Sequence, residues 1–291
     1  MIKGVYNKCL ATIIRSIASV ECETHQDEIL QVPSRDVGRS IRVHVYKPTE
    51  PAPPQGPTPV LINFHGSGYV IRMHGSDDEF ALKIRSSLPY TVLDVQYRLA
   101  PEDPFPAATD DAEDVVKYVL AKPTEFDLSH ISVSGFSAGG ALALGAAGHV
   151  FPVGTFRHVV AIYPPTDLTI DPSNKHAPDQ SGKSLPNWMT ASFNNMYAPP
   201  PIDRSQPLIS PSKIDPTRFP KNVLIITCGF DNLALETEDL AERIRRVPGI
   251  NLEHKRMEKV GHAWDKEYKS DTHEEKAKDA VYDLAVEMLS I

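Results

Sequence analysis

The sequence predicts an α/β fold in which a mainly parallel sheet is covered by helices on both faces. Apolar runs at "PVLINFHG", "YTVLDVQYRLA", "HISVSG", "HVVAIYP" and "NVLIITCG" are short enough for strands buried on both sides. Between them lie helical patterns such as "AATDDAEDVVKYVLAK" and "ALALGAAGHV", and strand–helix alternation is the mark of parallel pairing. The 291 residues, 41% hydrophobic and 23% charged, suit one large α/β domain or two small ones, and we read residues 1–291 as one.

The elements follow in order. In "MIKGVYNKCLATIIRSIASV" the apolar residues Val5, Leu10, Ile13, Ile14, Ile17 and Val20 recur at helical spacing. Arg15 interrupts them, so the stretch reads as an amphipathic docking helix and not as a signal peptide. "DEILQVP" and "SIRVHVYKP" alternate in period two around "SRDVGR", an antiparallel hairpin, and "TEPAPPQGPTP" is a proline-rich surface link. After the strand–helix core begins, residues 166–215 break its rhythm, being rich in Pro, Asn, Asp and Ser. Within them "PNWMTASFNNMYAPP" sets Trp188, Met189, Phe193, Met196 and Tyr197 along one helical face, either a satellite helix on the core or a lid over a pocket. An insertion this long favours the lid. The final "EKAKDAVYDLAVEMLSI" is the closing helix.

Composition narrows the partners. Thirty basic against 38 acidic residues give a net charge of −8 with no basic run, which argues against nucleic acid or an anionic membrane. No run approaches the roughly 20 apolar residues of a membrane span. Cys9, Cys22 and Cys228 are odd in number and lack metal-ligand spacing, so no disulfide framework is expected. With no recognisable targeting segment, the cytosol is the default location.

Chemistry enters at "ISVSGFSAGG". Gly135, Phe136, Ser137, Ala138 and Gly139 form a G-x-S-x-G where a strand pattern meets a helix pattern, the context that a nucleophile elbow requires. A serine hydroxyl needs a base, and the base an orienting acid, in the chain order serine, acid, histidine. Asp231 directly follows the strand "NVLIITCGF", and His262 lies in the loop "KVGHAW". His254 falls inside a strand pattern, Asp265 shares a loop with His262, and Glu236 reads as a solvated or capping carboxylate in a helix. "NFHGSGYV" ends another strand with backbone that can turn amides toward the serine, and His65 there reads as a structural holder of the loop. No other histidine pair has a metal-like spacing.

The blocks "HGSG", "YRLAPE", "GFSAGG", "YPPTDL", "ISP", "GFDNL" and "GHAW" occur in this order, and with them the chain resembles the hormone-sensitive-lipase-like family of α/β hydrolases, also called family IV esterases. The resemblance implies the α/β-hydrolase fold, with Ser137, Asp231 and His262 as catalytic triad and the Gly66, Ser67 and Ala138 amides as oxyanion hole. It also implies a cap built from about residues 1–25 and 166–215, and a structural role for Arg98 and Glu102. Departures are Ser67 for a glycine, Phe136 for the usual aspartate before the nucleophile, and Asn232 with "ALETEDL" beyond the acid.

The expected activity is a serine carboxylic-ester hydrolase acting on small to medium, largely apolar esters, without metal or cofactor. We expect Tyr69, Phe136, Trp188, Phe193 and Tyr197 to line its pocket. Acyl transfer or lactone formation on the same triad stays open, as does, less favoured, a non-catalytic small-molecule receptor. By family analogy, the edge strands and the closing helix would serve a homodimer.

Overall fold

The computed structural model describes residues 2–19, 22–49 and 56–291, and for residues 2–6 and 17 the backbone alone. Val20 and residues 50–55 of the proline-rich link lie outside the described residues, as do the side chains of Val5 and Ile17 and parts of the expected 1–25 cap segment.

Eight strands form one sheet. In chain order they are β1 (Glu28–Pro33), β2 (Ser40–Tyr46), β3 (Thr58–Phe64), β4 (Thr91–Val95), β5 (Phe126–Phe136), β6 (His158–Ile162), β7 (Asn222–Cys228) and β8 (Asn251–Met257). Their spatial order is β1-β2-β4-β3-β5-β6-β7-β8. The expected hairpin β1/β2 is antiparallel, β2 joins β4 antiparallel, and every later pairing is parallel. Side-chain alternation sends Val60, Ile62 and Phe64 of β3 to one face and Leu61 to the other, which is why these runs are apolar on both faces.

The first face is covered by α3 (Ala107–Leu120) and α4 (Ala138–Gly145), and α6 (Ala234–Arg245) adds Leu240, Ala241 and Ile244. The second is covered by α2 (Asp78–Ser87) and α7 (His273–Leu289), through Phe80, Ile84, Val281, Tyr282 and Met288. At the start of α7 the Thr272 hydroxyl accepts from Glu275 N–H while the Glu275 carboxylate accepts from Asp271 N–H, so two free helix-end donors are satisfied at once. α1 (Ile2–Ala18) is held through Arg15, which donates to the carbonyls of Val70 and Ala100 and pairs with Glu102 at 2.7 Å. Between β6 and β7 the irregular segment carries one α-helix, α5 (Asn187–Tyr197). Among the described residues no helix is long and apolar enough to cross a membrane.

Six side chains whose burial shifts their titration strongly make stability depend on pH. Burial lowers His44, His74 and His158 to about 4 and His65 to about 3, from an ordinary 6.5. Burial raises Asp77 and Asp94 to about 6 from 3.8. Below pH 6.5 the unfolded chain binds protons at four imidazoles that the folded chain refuses, so stability falls as pH falls. The two aspartates act oppositely below about pH 6, because the folded chain then holds protons the unfolded chain has released. Four outweigh two, so the urea midpoint should drop between about pH 6.5 and about pH 4.5. A midpoint that rises over that interval would contradict this balance.

Candidate active site

The site gathers at the carboxyl ends of parallel strands, where open α/β sheets place their working groups. Ser137 stands between the end of β5 and the start of α4 with φ 50° and ψ −121°, a conformation costly for any non-glycine residue. Its small neighbours make the corner sterically accessible. A Cβ at Gly135 would overlap the Gly139 backbone, and one at Gly139 would overlap the Phe64 carbonyl of β3.

Three sequence-predicted residues meet here. Asp231 follows β7 and His262 lies in the loop after β8. With its proton on Nδ1, His262 donates to Asp231 Oδ2 at 2.7 Å, and its Nε2 accepts from the Ser137 hydroxyl at 2.8 Å. The other carboxylate oxygen of Asp231 accepts from Leu233 N–H at 3.0 Å, which fixes the acid. Asp231 is buried, and Tyr163 packs edge-on to the His262 ring at 4.8 Å. The arrangement can take a proton from Ser137 and hold the resulting imidazolium against a carboxylate.

Beside the serine, the loop after β3 is tied down by a chain of hydrogen bonds. Tyr69 N–H donates to Ser67 Oγ at 2.8 Å, the Ser67 hydroxyl meets Tyr97 Oη at 2.7 Å, and Tyr97 donates to the His65 carbonyl at 2.6 Å. The His65 ring stacks on Tyr97 at 4.4 Å, so His65 sits as a buried part of the loop and is not in the array around Ser137. The extra hydroxyl of Ser67 is thus used to lock the turn. Gly68 has φ +54°, and a Cβ there would stand 2.5 Å from the Phe193 ring, so only glycine fits. Among the described residues the amides of Gly66, Ser67 and Ala138 donate to no other group.

A cavity of about 160 Å³ opens at Ser137, walled by Tyr69, Ile71, Leu168, Met189 and Phe193 among others. Two ammonium groups also reach its wall, each neutralised. Lys175 pairs with Glu236 and donates to the Asp167 carbonyl. Lys266 lies 2.7 Å from Asp77, 2.9 Å from Asp265 and 3.8 Å above the Phe136 ring. Burial opposes the Lys266 charge, but Asp265 and Asp77 keep its pKa well above the ordinary lysine value.

Several expectations need correction. Tyr69 and Phe193 line the cavity, but Phe136, Trp188 and Tyr197 do not. Phe136 precedes Ser137 on a strand, so its side chain goes to the opposite face and packs against Phe80 and Tyr282. Trp188 is 60% exposed, because it sits about 100° round the helix from Met189. Tyr197 is buried and stacks on the Tyr69 ring at 3.6 Å. Glu236 is neither solvated nor a cap: it is buried, pairs with Lys175 and accepts from the Thr166 and Asp167 amides. Asp265 accepts from Tyr163 and Tyr282 hydroxyls, away from His262 Nδ1. A group that the spacing missed is His44, His74 and Asp94, whose ligand atoms all lie within 4.8 Å of one another. β2/β4 register places His44 opposite Asp94, a relation that linear spacing does not reveal.

Fold and site define an α/β hydrolase. A family model described as the alpha/beta hydrolase fold matches residues 61–266. The chain belongs to the hormone-sensitive-lipase-like family of α/β hydrolases. It is 30% identical to the ethyl acetate hydrolase of Pseudomonas putida over 243 residues, covering 78% of this chain and 75% of that one. Its structure is similar to that of the hyperthermophilic esterase from the archaeon Pyrobaculum calidifontis, with TM-score 0.76, 28% identity and coverage of 99% and 92% of the two chains. It is also similar to EstE1, a thermostable carboxylesterase cloned from a metagenomic library, with TM-score 0.79, 25% identity and 97% of each chain covered. Carboxylic-ester hydrolysis is the reaction class of this chain.

Proposed function

We propose that the chain hydrolyses small, largely apolar carboxylic esters through an acyl-enzyme formed on Ser137. The observation that carries this reading is the Ser137–His262–Asp231 hydrogen-bonded array on a strained elbow at the floor of an apolar cavity. His262 takes the Ser137 proton as Oγ attacks the ester carbonyl, and Asp231 holds the imidazolium. The Gly66, Ser67 and Ala138 amides stabilise the tetrahedral oxyanion, a role in which one donor is worth roughly 3 kcal/mol. His262 then protonates the leaving alcohol and activates the water that releases the acid.

Substrate size follows from the cavity. Its volume of about 160 Å³ is far below the roughly 300–1,000 Å³ of sites for drug-sized ligands, and its lysines are already paired. A short, uncharged acyl group suits it. α1 and residues 166–215 act as the cap, with Met189 and Phe193 of α5 supplying one wall. The test is a series of p-nitrophenyl esters from acetyl to dodecanoyl. kcat/KM should peak among the short acyl groups and fall about tenfold or more by dodecanoyl, since a chain that outgrows the cavity leaves methylenes without burial. A maximum at dodecanoyl would refute the size assignment, and absence of turnover on every ester would refute the hydrolytic reading.

A further inference from the structure

Outside the catalytic cavity, a cleft of about 410 Å³ is lined by five arginines, Arg15, Arg39, Arg42, Arg72 and Arg98. Three are neutralised: Arg15 by Glu102 at 2.7 Å, Arg39 by Asp111 at 2.6 Å, and Arg98 by Asp111 and Asp36 at 2.9 and 2.8 Å. Arg42 and Arg72 enter no ion pair among the described residues. Arg42 Nε approaches His44 Nε2 at 3.4 Å, longer than a good N–H hydrogen bond, and Arg72 is engaged through its backbone N–H, at 3.4 Å from Ser19 Oγ. Both guanidiniums are exposed, and both also line the adjoining recess in front of His44 and His74. The carboxylates on the cleft wall are Glu102, engaged by Arg15, and Asp103.

Two cations outside any ion pair among the described residues, on one concave surface, stand out in a chain whose net charge is −8, although the field of Arg72 also reaches Glu102 and helps lower its pKa. They also decide between ligands. The nearby His44–His74–Asp94 group has the donor types for a transition metal, but a dication would enter past two guanidiniums that repel it. An anion is attracted by the same two groups. Two positive charges outside ion pairs match a phosphate monoester, which carries about −1.5 to −2 near neutral pH, better than a single carboxylate. The planar guanidinium fork pairs with phosphate oxygens in bidentate fashion.

We propose that this cleft is a binding site for a small phosphate-bearing molecule, held by Arg42 and Arg72. It is separate from the acyl cavity but adjoins it. Met73 belongs to the walls of both, and Tyr97, which anchors the loop of Ser67, lines the cleft. The occupant would therefore sit behind the loop that faces the reacting ester.

The test is calorimetric titration of the full chain with inorganic pyrophosphate at constant ionic strength, repeated with citrate, because salt alone screens exposed charges. Wild type should bind pyrophosphate saturably and more tightly than citrate, and Arg42→Gln/Arg72→Gln should bind it about tenfold or more weakly. Both residues are exposed, so the double variant should keep the thermal midpoint and the p-nitrophenyl acetate turnover of wild type. Absence of saturable binding, equal affinity in the double variant, or tighter binding of citrate would each overturn the assignment. The readout is binding, so it fails or succeeds independently of the hydrolytic reading.

Discussion

Replacing Ser137 by alanine should lower kcat/KM for p-nitrophenyl acetate by about 10⁴-fold or more while leaving the chain folded. The change removes one oxygen. It keeps the Cβ that the elbow already accommodates at φ 50°, and it leaves the 2.7 Å bond between His262 and Asp231 untouched. Without Oγ, His262 can only activate water, and the remaining rate would come from the oxyanion donors and from binding. Circular dichroism and the urea midpoint check the fold, and initial rates at several ester concentrations give kcat/KM. If the folded variant were as fast as wild type, the acyl-enzyme reading would fail.

The second large effect is on stability. Gly139→Ala should destabilise the protein by about 3 kcal/mol or more, although in an ordinary helix interior the same change gains up to about 1 kcal/mol. Gly139 lies in the first turn of α4, pressed against the end of β3. Its new Cβ would overlap the Phe64 carbonyl and stand 2.6 Å from the His65 carbonyl. Both are backbone atoms, so no side-chain rotation relieves the clash, and either α4 or β3 must move. Movement of either separates Ser137 from the loop carrying Gly66 and Ser67, so the folded fraction should also lose activity. Urea unfolding measures the first effect. A variant within about 1 kcal/mol of wild type would show that the helix and strand are not in the close approach described.

What the sequence disclosed depended on how local the determining physics was. Five of the six strands in parallel pairings, β3 to β7, were legible because burial on both faces requires a mostly apolar run, and Ser137 because the elbow's steric demands fall within five residues. Asp231 and His262 followed from strand ends plus chain order. Rotation about an axis was less legible. Trp188 and Met189 are adjacent, yet one faces solvent and the other the cavity, and an aromatic stripe spanning both hides that difference. Phe136 adjoins Ser137 in sequence, but strand alternation turns its side chain to the opposite face, away from the cavity.

Long-range polar pairing was the least legible. Lys175 and Glu236 are 61 positions apart, and Lys266 meets Asp77 from the far end of the chain, so nothing in the local pattern of either residue announces its partner. Glu236 accordingly looked like a helix-surface carboxylate. The same holds for Arg42 on β2 and Arg72 in the loop after β3, which share one cleft although β4 lies between the two strands in the sheet.

The most direct test of covalent catalysis at Ser137 is intact-mass spectrometry after treatment with an alkyl p-nitrophenyl phosphonate, followed by peptide mapping. A phosphonate resembles the tetrahedral intermediate and leaves a stable adduct on an activated serine. The account predicts a single adduct per chain, located on Ser137, with loss of ester turnover in proportion to labelling and no adduct in Ser137→Ala. An adduct on another residue, or continued ester turnover in protein fully labelled at Ser137, would contradict it.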